Sequence, residues 1–371
     1  MKKLILSGLI VILTMLRLFA SRPGSTGANF LKINLNPKQS AMGSCGIGLT
    51  DGVGSFFTNP AGISDINYQN LSFFYNIWFE DINAQYLSYI LPTPIGSFGT
   101  NINYFGYGKI KGYDANGKKT SNVNANDLCI NLSYGREIPS FRIKGYEVLK
   151  GVKAGISLKY IQEMLDNQSA STVVTDIGMK VDLGKSNNRL KGISLGCSIR
   201  NIGRGLTFDE EKAPLPQIFG MGIGIKRELL GEELNLGIDM NIPNDNTMYV
   251  ASGLEYWVKD IIALRVGYNS REDVSNGISL GIGLKADIFS INYSFVGYGD
   301  LGYTHRIGME IKIGANIKEI LIRKAFQKGI SYMREKRYAE AILEFNKVLK
   351  YDSTNIEALE LIKQANERLS R

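Results

Sequence analysis

The chain has 371 residues, 44% of them hydrophobic and 21% charged, with a formal net charge of +8; this composition excludes disorder, a coiled coil and a helical membrane protein. A single histidine, His305, and three scattered cysteines, Cys45, Cys129 and Cys197, offer no grouped ligands for a metal, and the basic surplus is too thin for a nucleic-acid footprint. Glycine is the outlier: 41 residues, about 11% against a usual ~7%, neither spaced as in collagen nor pooled in linkers, so these glycines must sit inside regular structure.

Residues 1–20 read as a secretory signal peptide. Lys2 and Lys3 precede an apolar run from Leu4 to Leu16, and Leu18-Phe19-Ala20 ends in a small residue, as a signal peptidase site does. Arg17 interrupts the run before it reaches the ~20 apolar residues of a membrane helix. Cys45 lies too far along to be the lipid-bearing residue of a lipoprotein. Residues 21–68 are rich in small residues and do not alternate for long. They read as a plug folded into the lumen of a barrel built by the later residues, because a wide barrel left open would leak.

From residue 69 a two-residue period takes over. Val152, Ala154, Ile156, Leu158 and Tyr160 alternate with Lys153, Gly155, Ser157 and Lys159, and Ile278, Leu280, Ile282 and Leu284 alternate with Ser279, Gly281 and Gly283. Such a pattern is a strand whose two faces meet different solvents. The runs are about nine to twelve residues long, enough to cross a bilayer at a tilt, and their Gly, Ser, Asn, Asp and Lys suit a polar lumen. The spacing predicts fourteen strands, near 69–78, 82–91, 95–108, 125–136, 150–163, 171–183, 191–200, 217–227, 233–242, 247–257, 260–269, 277–286, 289–297 and 303–314. The predicted fold is therefore all-β: a 14-stranded transmembrane antiparallel β-barrel over 69–315, with an N-terminal lumenal hatch.

With both ends periplasmic, the connections 109–124, 164–170, 201–216, 243–246, 270–276 and 298–302 point outward, while Pro92-Thr93-Pro94 is an inward turn and 137–149 is longer than such a turn should be. Trp78, Tyr107, Tyr134, Tyr160, Tyr256, Trp257 and Tyr268 sit near strand ends, as interfacial girdles do. Cys129 falls in the polar phase and Cys197 in the apolar one, so no disulfide is expected between them.

Residues 316–371 change to a helical period and form a small tail module. Ala325, Gly329, Tyr332, Ala341 and Phe345 fall on the spacing of a tetratricopeptide repeat beginning near Ile322. Gly329 and Ala341 let two antiparallel helices approach, Tyr332 and Phe345 fill the space between them, and a third helix over 355–369 caps the pair. Ala325, Lys328 and Ser353 depart from the repeat's usual Trp, Leu and Pro. The module is either a plain helical cap or a partner-docking groove.

Ala41-Met42-Gly43, the Asp51-Gly52 pair and Asn59-Pro60-Ala61-Gly62 together resemble the N-terminal hatch of the FadL superfamily, and within it the PorV/PorQ-type outer-membrane proteins. Asn201-Ile202-Gly203 before Pro214-Leu215-Pro216 resembles that group too, as does Gly299-Asp300-Leu301-Gly302 before Thr304-His305-Arg306. The resemblance covers about residues 28–315. It implies a non-enzymatic outer-membrane barrel, with hatch and tail on the periplasmic side, and no cofactor. The roles the resemblance implies are protein export of the type IX kind, with secretion machinery or cargo as partners, or uptake of hydrophobic molecules such as long-chain fatty acids. A third reading is a structural anchor for periplasmic partners. Outer-membrane lipid is a further expected partner, and nucleic acid is not. The residue inventory agrees in offering no catalytic site: Gly220, Gly222 and Gly224 continue in strand period and open no phosphate loop, and no serine is placed beside His305.

Overall fold

The computed structural model describes residues 23–50, 52–143, 146–186, 188–271, 277–314 and 317–369; the expected signal peptide lies outside these. Two compact units emerge, one comprising the chain to Lys285 with Phe289–Ile311, the other Ala286–Ile288 with Lys312–Arg371.

In the first unit fourteen strands close into an antiparallel barrel, each next to its successor in sequence. They are β1 (Gln69–Ile77), β2 (Asn83–Thr93), β3 (Gly96–Gly106), β4 (Ala125–Glu137), β5 (Val152–Leu165), β6 (Gln168–Asp182), β7 (Ile193–Gly203), β8 (Ile218–Leu229), β9 (Glu232–Pro243), β10 (Tyr249–Val258), β11 (Ile262–Asn269), β12 (Ile278–Ala286), β13 (Phe289–Gly297) and β14 (Tyr303–Ile313). The alternation places Leu132, Leu158, Ile238 and Ile307 on the exposed outer face and Asn131, Ser157, Asp239 and Arg306 in the buried interior. This inversion of a soluble sandwich is what a hydrocarbon surround selects.

The connections differ from the sequence reading in five places. The expected 164–170 loop shrinks to Asp166 and Asn167, because the β5–β6 ladder continues to Leu165 opposite Gln168 and Asp166 takes the left-handed φ of 53° that closes a tight hairpin. Pro92 and Thr93 extend β2, with Thr93 opposite Gly96, so the turn is Pro94-Ile95. The connection after β3 holds a separate hairpin, Ile110–Tyr113 with Lys119–Val123, and that after β7 holds another, Leu206–Phe208 with Glu211–Ala213. The overlong 137–149 connection likewise folds on itself as Phe141–Ile143 with Tyr146–Val148.

Strand phase also corrects the aromatic girdle. Tyr160 and Tyr268 are exposed outside, Tyr134 packs against Phe98 on the outer face, and Tyr256 pairs with outward Leu234 and Leu264. Trp78, Trp257 and Tyr107 instead serve the interior. Arg306 lies over Trp78, Arg265 lies 5.9 Å from the centre of the Trp257 ring, and Tyr107 donates to Asp127. Trp257 is two residues from buried Glu255, and in a strand that spacing means the same face. Cys45, Cys129 and Cys197 are all free.

The second unit holds three helices, α1 (Ile317–Arg334), α2 (Tyr338–Tyr351) and α3 (Ile356–Leu369). Ala325, Ala341, Phe345, Val348 and Ala358 form its core. Phe345 meets Phe326 edge-on with ring centres 5.6 Å apart, and a Cβ on Gly329 would stand 2.6 Å from the Phe345 ring. Gly329 is therefore what lets α1 approach α2. Tyr332 is only partly buried, with Arg337 stacked over it at 4.4 Å.

Leu158→Arg tests the outward apolar face. A cation near the bilayer midplane costs about 2–4 kcal/mol, so the urea midpoint of the heat-modifiable gel band is expected to fall. An unchanged midpoint would show that this face does not meet lipid.

Candidate functional site

The plug runs through the lumen from one rim to the other. It begins at the rim formed by the connections that follow odd-numbered strands. There the Gly27 amide donates to the Pro214 carbonyl at 2.9 Å, the Thr26 hydroxyl donates to Asp245, and Lys32 pairs with the same Asp245 carboxylate at 2.7 Å. A short turn, Asn29–Lys32, buries Phe30 edge-on to Phe105 at 5.4 Å. Burying such a ring is worth about 2–3 kcal/mol.

Asn36 then caps the turn Pro37–Ser40, its side chain accepting from Lys38 and Gln39 amides. Lys38 reaches Glu255 at 3.5 Å, and Glu255 is held by Arg265 at 2.6 Å. The Ala41-Met42-Gly43 turn is pinned by Gly43, whose amide donates to Ser279 at 3.0 Å and whose carbonyl accepts from Asn269 at 2.9 Å. Gly46 and Ile47 amides both donate to buried Asp239, at 2.6 and 2.9 Å. Charge-assisted bonds of this kind contribute about 1.5–3 kcal/mol each.

Asn59-Pro60-Ala61-Gly62 is the cap of a second turn, Pro60–Asp65. The Asn59 side chain accepts from the Ala61 amide at 3.1 Å and donates to the carbonyls of Ile47 and Met179, both at 2.9 Å. One side chain thus ties turn, plug and wall. Gly62 does not take a positive φ; it is glycine because a Cβ there would overlap Thr50. The plug leaves at the opposite rim through Asp65, which pairs with Lys153 and, at 2.6 Å, with Lys180.

The wall beneath the plug is made of glycine. Gly135, Gly155 and Gly178 stand in register across β4, β5 and β6, Gly196 opposes Gly222, and Gly224, Gly237, Gly253 and Gly267 continue across β8 to β11. A Cβ at Gly155 would overlap the Pro60 backbone, at Gly196 the Ile47 carbonyl, at Gly253 Met42, and at Gly267 the Gly43 amide. The plug's main chain lies directly on the strands because these positions carry no side chain.

The lumen is not uniformly polar. Phe74, Tyr86, Phe105, Cys129, Ile161 and Val174 point inward from β1 to β6 and join Phe30, Phe56, Leu206 and Leu215 in one apolar cluster. Against it lies a cavity of ≈ 20 Å³, roofed by Phe30, Leu31 and Ile33 and walled by Asn101, Asn131 and Arg200. Among its lining groups, both side-chain polar atoms of Asn101 and the Nε of Arg200 have no protein partner, and the volume admits about one water. Among the described residues no group of three or more His, Cys, Asp or Glu could hold a metal.

Ala41, Met42, Gly43, Asn59, Pro60, Ala61 and Gly62 are thus gathered in the lumen as plug residues, whereas Ala325, Ala341 and Phe345 are buried in the tail's own core and Gly329 and Tyr332 pack against it. Sequence reasoning missed Asp239, Asp245, Asp65 and the inward aromatics. The acidic residues at polar-phase and loop positions were the available signal; the partners they meet are more than 80 residues away and left none.

The profile of an uncharacterised protein family, UPF0164, matches residues 24–211. No curated protein matches the sequence. Among solved structures, the toluene transporter TodX of Pseudomonas putida aligns at 12% identity and a TM-score of 0.47, covering 79% of this chain and 97% of its own. A FadL homologue of Pseudomonas aeruginosa aligns at 11% identity and 0.45, covering 75% and 98%, and the outer-membrane protein Omp33 of Acinetobacter baumannii at 4% and 0.39, covering 66% and 98%.

Gly267→Val is expected to lift the Ala41-Met42-Gly43 turn off the wall and raise single-channel conductance in planar bilayers; a closed lumen identical to the parent's would refute the glycine contact. Asp245 gives a pH prediction. Burial pushes its carboxyl up, but the Lys32 ammonium and the Thr26 hydroxyl outweigh this and hold it below its ordinary value. A depressed carboxyl stabilises the folded form above its unfolded pKa of about 3.9, and that contribution is lost as pH falls through the lower folded value. Amide protection of residues 26–32 should be level from pH 8 to about 4 and drop below that; loss already at pH 6 would contradict it.

Proposed function

This chain belongs to the uncharacterised protein family UPF0164, and we propose that it is an outer-membrane barrel that admits apolar small molecules past a plug retained in its lumen, without catalysing a reaction. A closed barrel with an apolar outer face and hydrogen-bonded strands all round is one of the two architectures that can span a bilayer. The observation that carries the reading is the apolar sector of the inner wall, Phe74, Tyr86, Phe105, Ile161 and Val174. A porin that conducts ions or sugars keeps its lumen wet and polar, whereas this wall rewards an apolar solute. The opposite sector, with Asp239, Glu255 and Arg265 buried and hydrogen-bonded, anchors the plug and leaves it no need to depart whole.

A second reading, a component of protein export of PorV/PorQ type with a docking tail, draws on the tail's exposed apolar positions Leu343, Ile356 and Leu359, which a tetratricopeptide-like module would offer to a partner. It has no support in the lumen.

The test is uptake of the neutral dye N-phenyl-1-naphthylamine by cells with and without the protein, alongside a hydrophilic solute of similar size. Faster entry of the dye alone is expected; equal rates in both strains would reject the passage, and co-purification of secretion partners with the tail would favour the second reading.

A further inference from the structure

The connection between β3 and β4 carries the hairpin Ile110–Tyr113 with Lys119–Val123, which neither the plug nor the apolar inner wall employs. Every residue from 109 to 121 except Gly112 is exposed, so the hairpin shows both faces to solvent and stands clear of the barrel. It brings together four lysines that lie in two pairs along the chain, Lys109 with Lys111 and Lys118 with Lys119. Lys111 and Tyr113 alternate on one strand and Lys119 lies opposite Tyr113, so these three side chains share a face. Tyr113 is 61% exposed there. The hairpin's one carboxylate, Asp114, is engaged in its own turn, accepting from the amides of Asn116 and Lys118, both at 2.9 Å. Among the described residues none of the four ammonium groups has an ion-pair or hydrogen-bond partner. The second hairpin on the same rim carries Asp209, Glu210 and Glu211 instead, so the positive charge belongs to this hairpin and not to the rim at large.

We propose that this hairpin binds a linear anionic polysaccharide outside the cell. Alternate residues on a strand stand about 7 Å apart and opposite ones about 5 Å. The ammonium groups therefore repel one another in the free protein, and a ligand with several negative groups on one chain relieves them. A sugar ring offers an apolar C–H face to the exposed Tyr113 ring, which is itself apolar in body and polar at its tip, and carries its acidic groups at the edge, where the lysines stand. Membrane lipid fits less well, because it surrounds the barrel wall and the hairpin stands clear of that wall. Nucleic acid fits less well too: arginine is the usual reader of its phosphates, and residues 109–124 contain none. The inference rests on the outward placement of the connections that follow odd-numbered strands and is independent of what passes through the lumen.

Two measurements test it in the full-length protein. The first titrates the protein, in a non-ionic detergent, with a heparin oligosaccharide. Binding at about 50 mM salt should weaken about tenfold or more by 200 mM, as multivalent charge contacts do. Lys109→Gln/Lys111→Gln/Lys118→Gln/Lys119→Gln should lose about tenfold or more in affinity while keeping the heat-modifiable gel band, and Tyr113→Ser about threefold. A control with the same loss of charge in the tail, Lys347→Gln/Lys350→Gln/Lys363→Gln/Arg368→Gln, should stay within about twofold of the parent. A tail control as weak as the hairpin variant overturns the site. So does undiminished binding by the hairpin variant or by Tyr113→Ser, or a single-stranded oligonucleotide bound as tightly as heparin. The second measurement uses intact cells, where fluorescent heparin should label those with the parent and not those with the hairpin variant at equal barrel levels. Cells that stay unlabelled although the purified protein binds heparin overturn the outward placement, and with it the polysaccharide. Neither readout involves dye entry, so the passage of apolar molecules stands or falls separately.

Discussion

The constraint on which the rest of the barrel depends is the direct contact between the plug's main chain and a belt of side-chain-free wall positions. A fourteen-stranded barrel encloses more space than its own side chains fill. Glycine at Gly155, Gly178, Gly196, Gly222, Gly253 and Gly267 lets a second layer of chain lie against the first. Each glycine weakens its strand entropically, and the hydrogen bonds the plug makes to Asp239, Ser279 and Asn269 offset that loss.

The same seating explains why the charges are where they are. Asp239, Glu255, Arg265 and Lys180 are buried, and removing such groups from water is costly unless each finds partners. Every one of them meets the plug or a residue that meets it, so these charges fix the register of the plug. The inward apolar side chains of β1 to β6 meet the plug through rings and aliphatic groups, and β5 and β6 also hold it through Lys153 and Lys180, which pair with Asp65.

The tail follows other rules. Its helices approach through small residues, Gly329, Ala341, Ala358 and Ala365, and Phe345 fills the space they leave. With only three helices its core is small, and Leu343 and Ile356 are exposed. This surface and the lumen are separate questions about one protein.

By itself the sequence determined the barrel: strict two-residue alternation over long runs assigns each residue to lipid or lumen, so all fourteen strands, their order and the outward Leu158 and Ile238 are legible from neighbouring residues alone. It also marked Gly329 as a helix contact, since small-residue spacing is local. Only the tertiary structure decided what occupies the lumen and how. Asp65 meets Lys153 and Lys180, Lys32 meets Asp245, and Gly43 meets Gly267 across sequence separations that no period encodes. Trp78, Tyr107 and Trp257 show the limit most simply: aromatic character at a strand end fits a lipid girdle or an inner wall equally well, and closure of the barrel around its plug settles which.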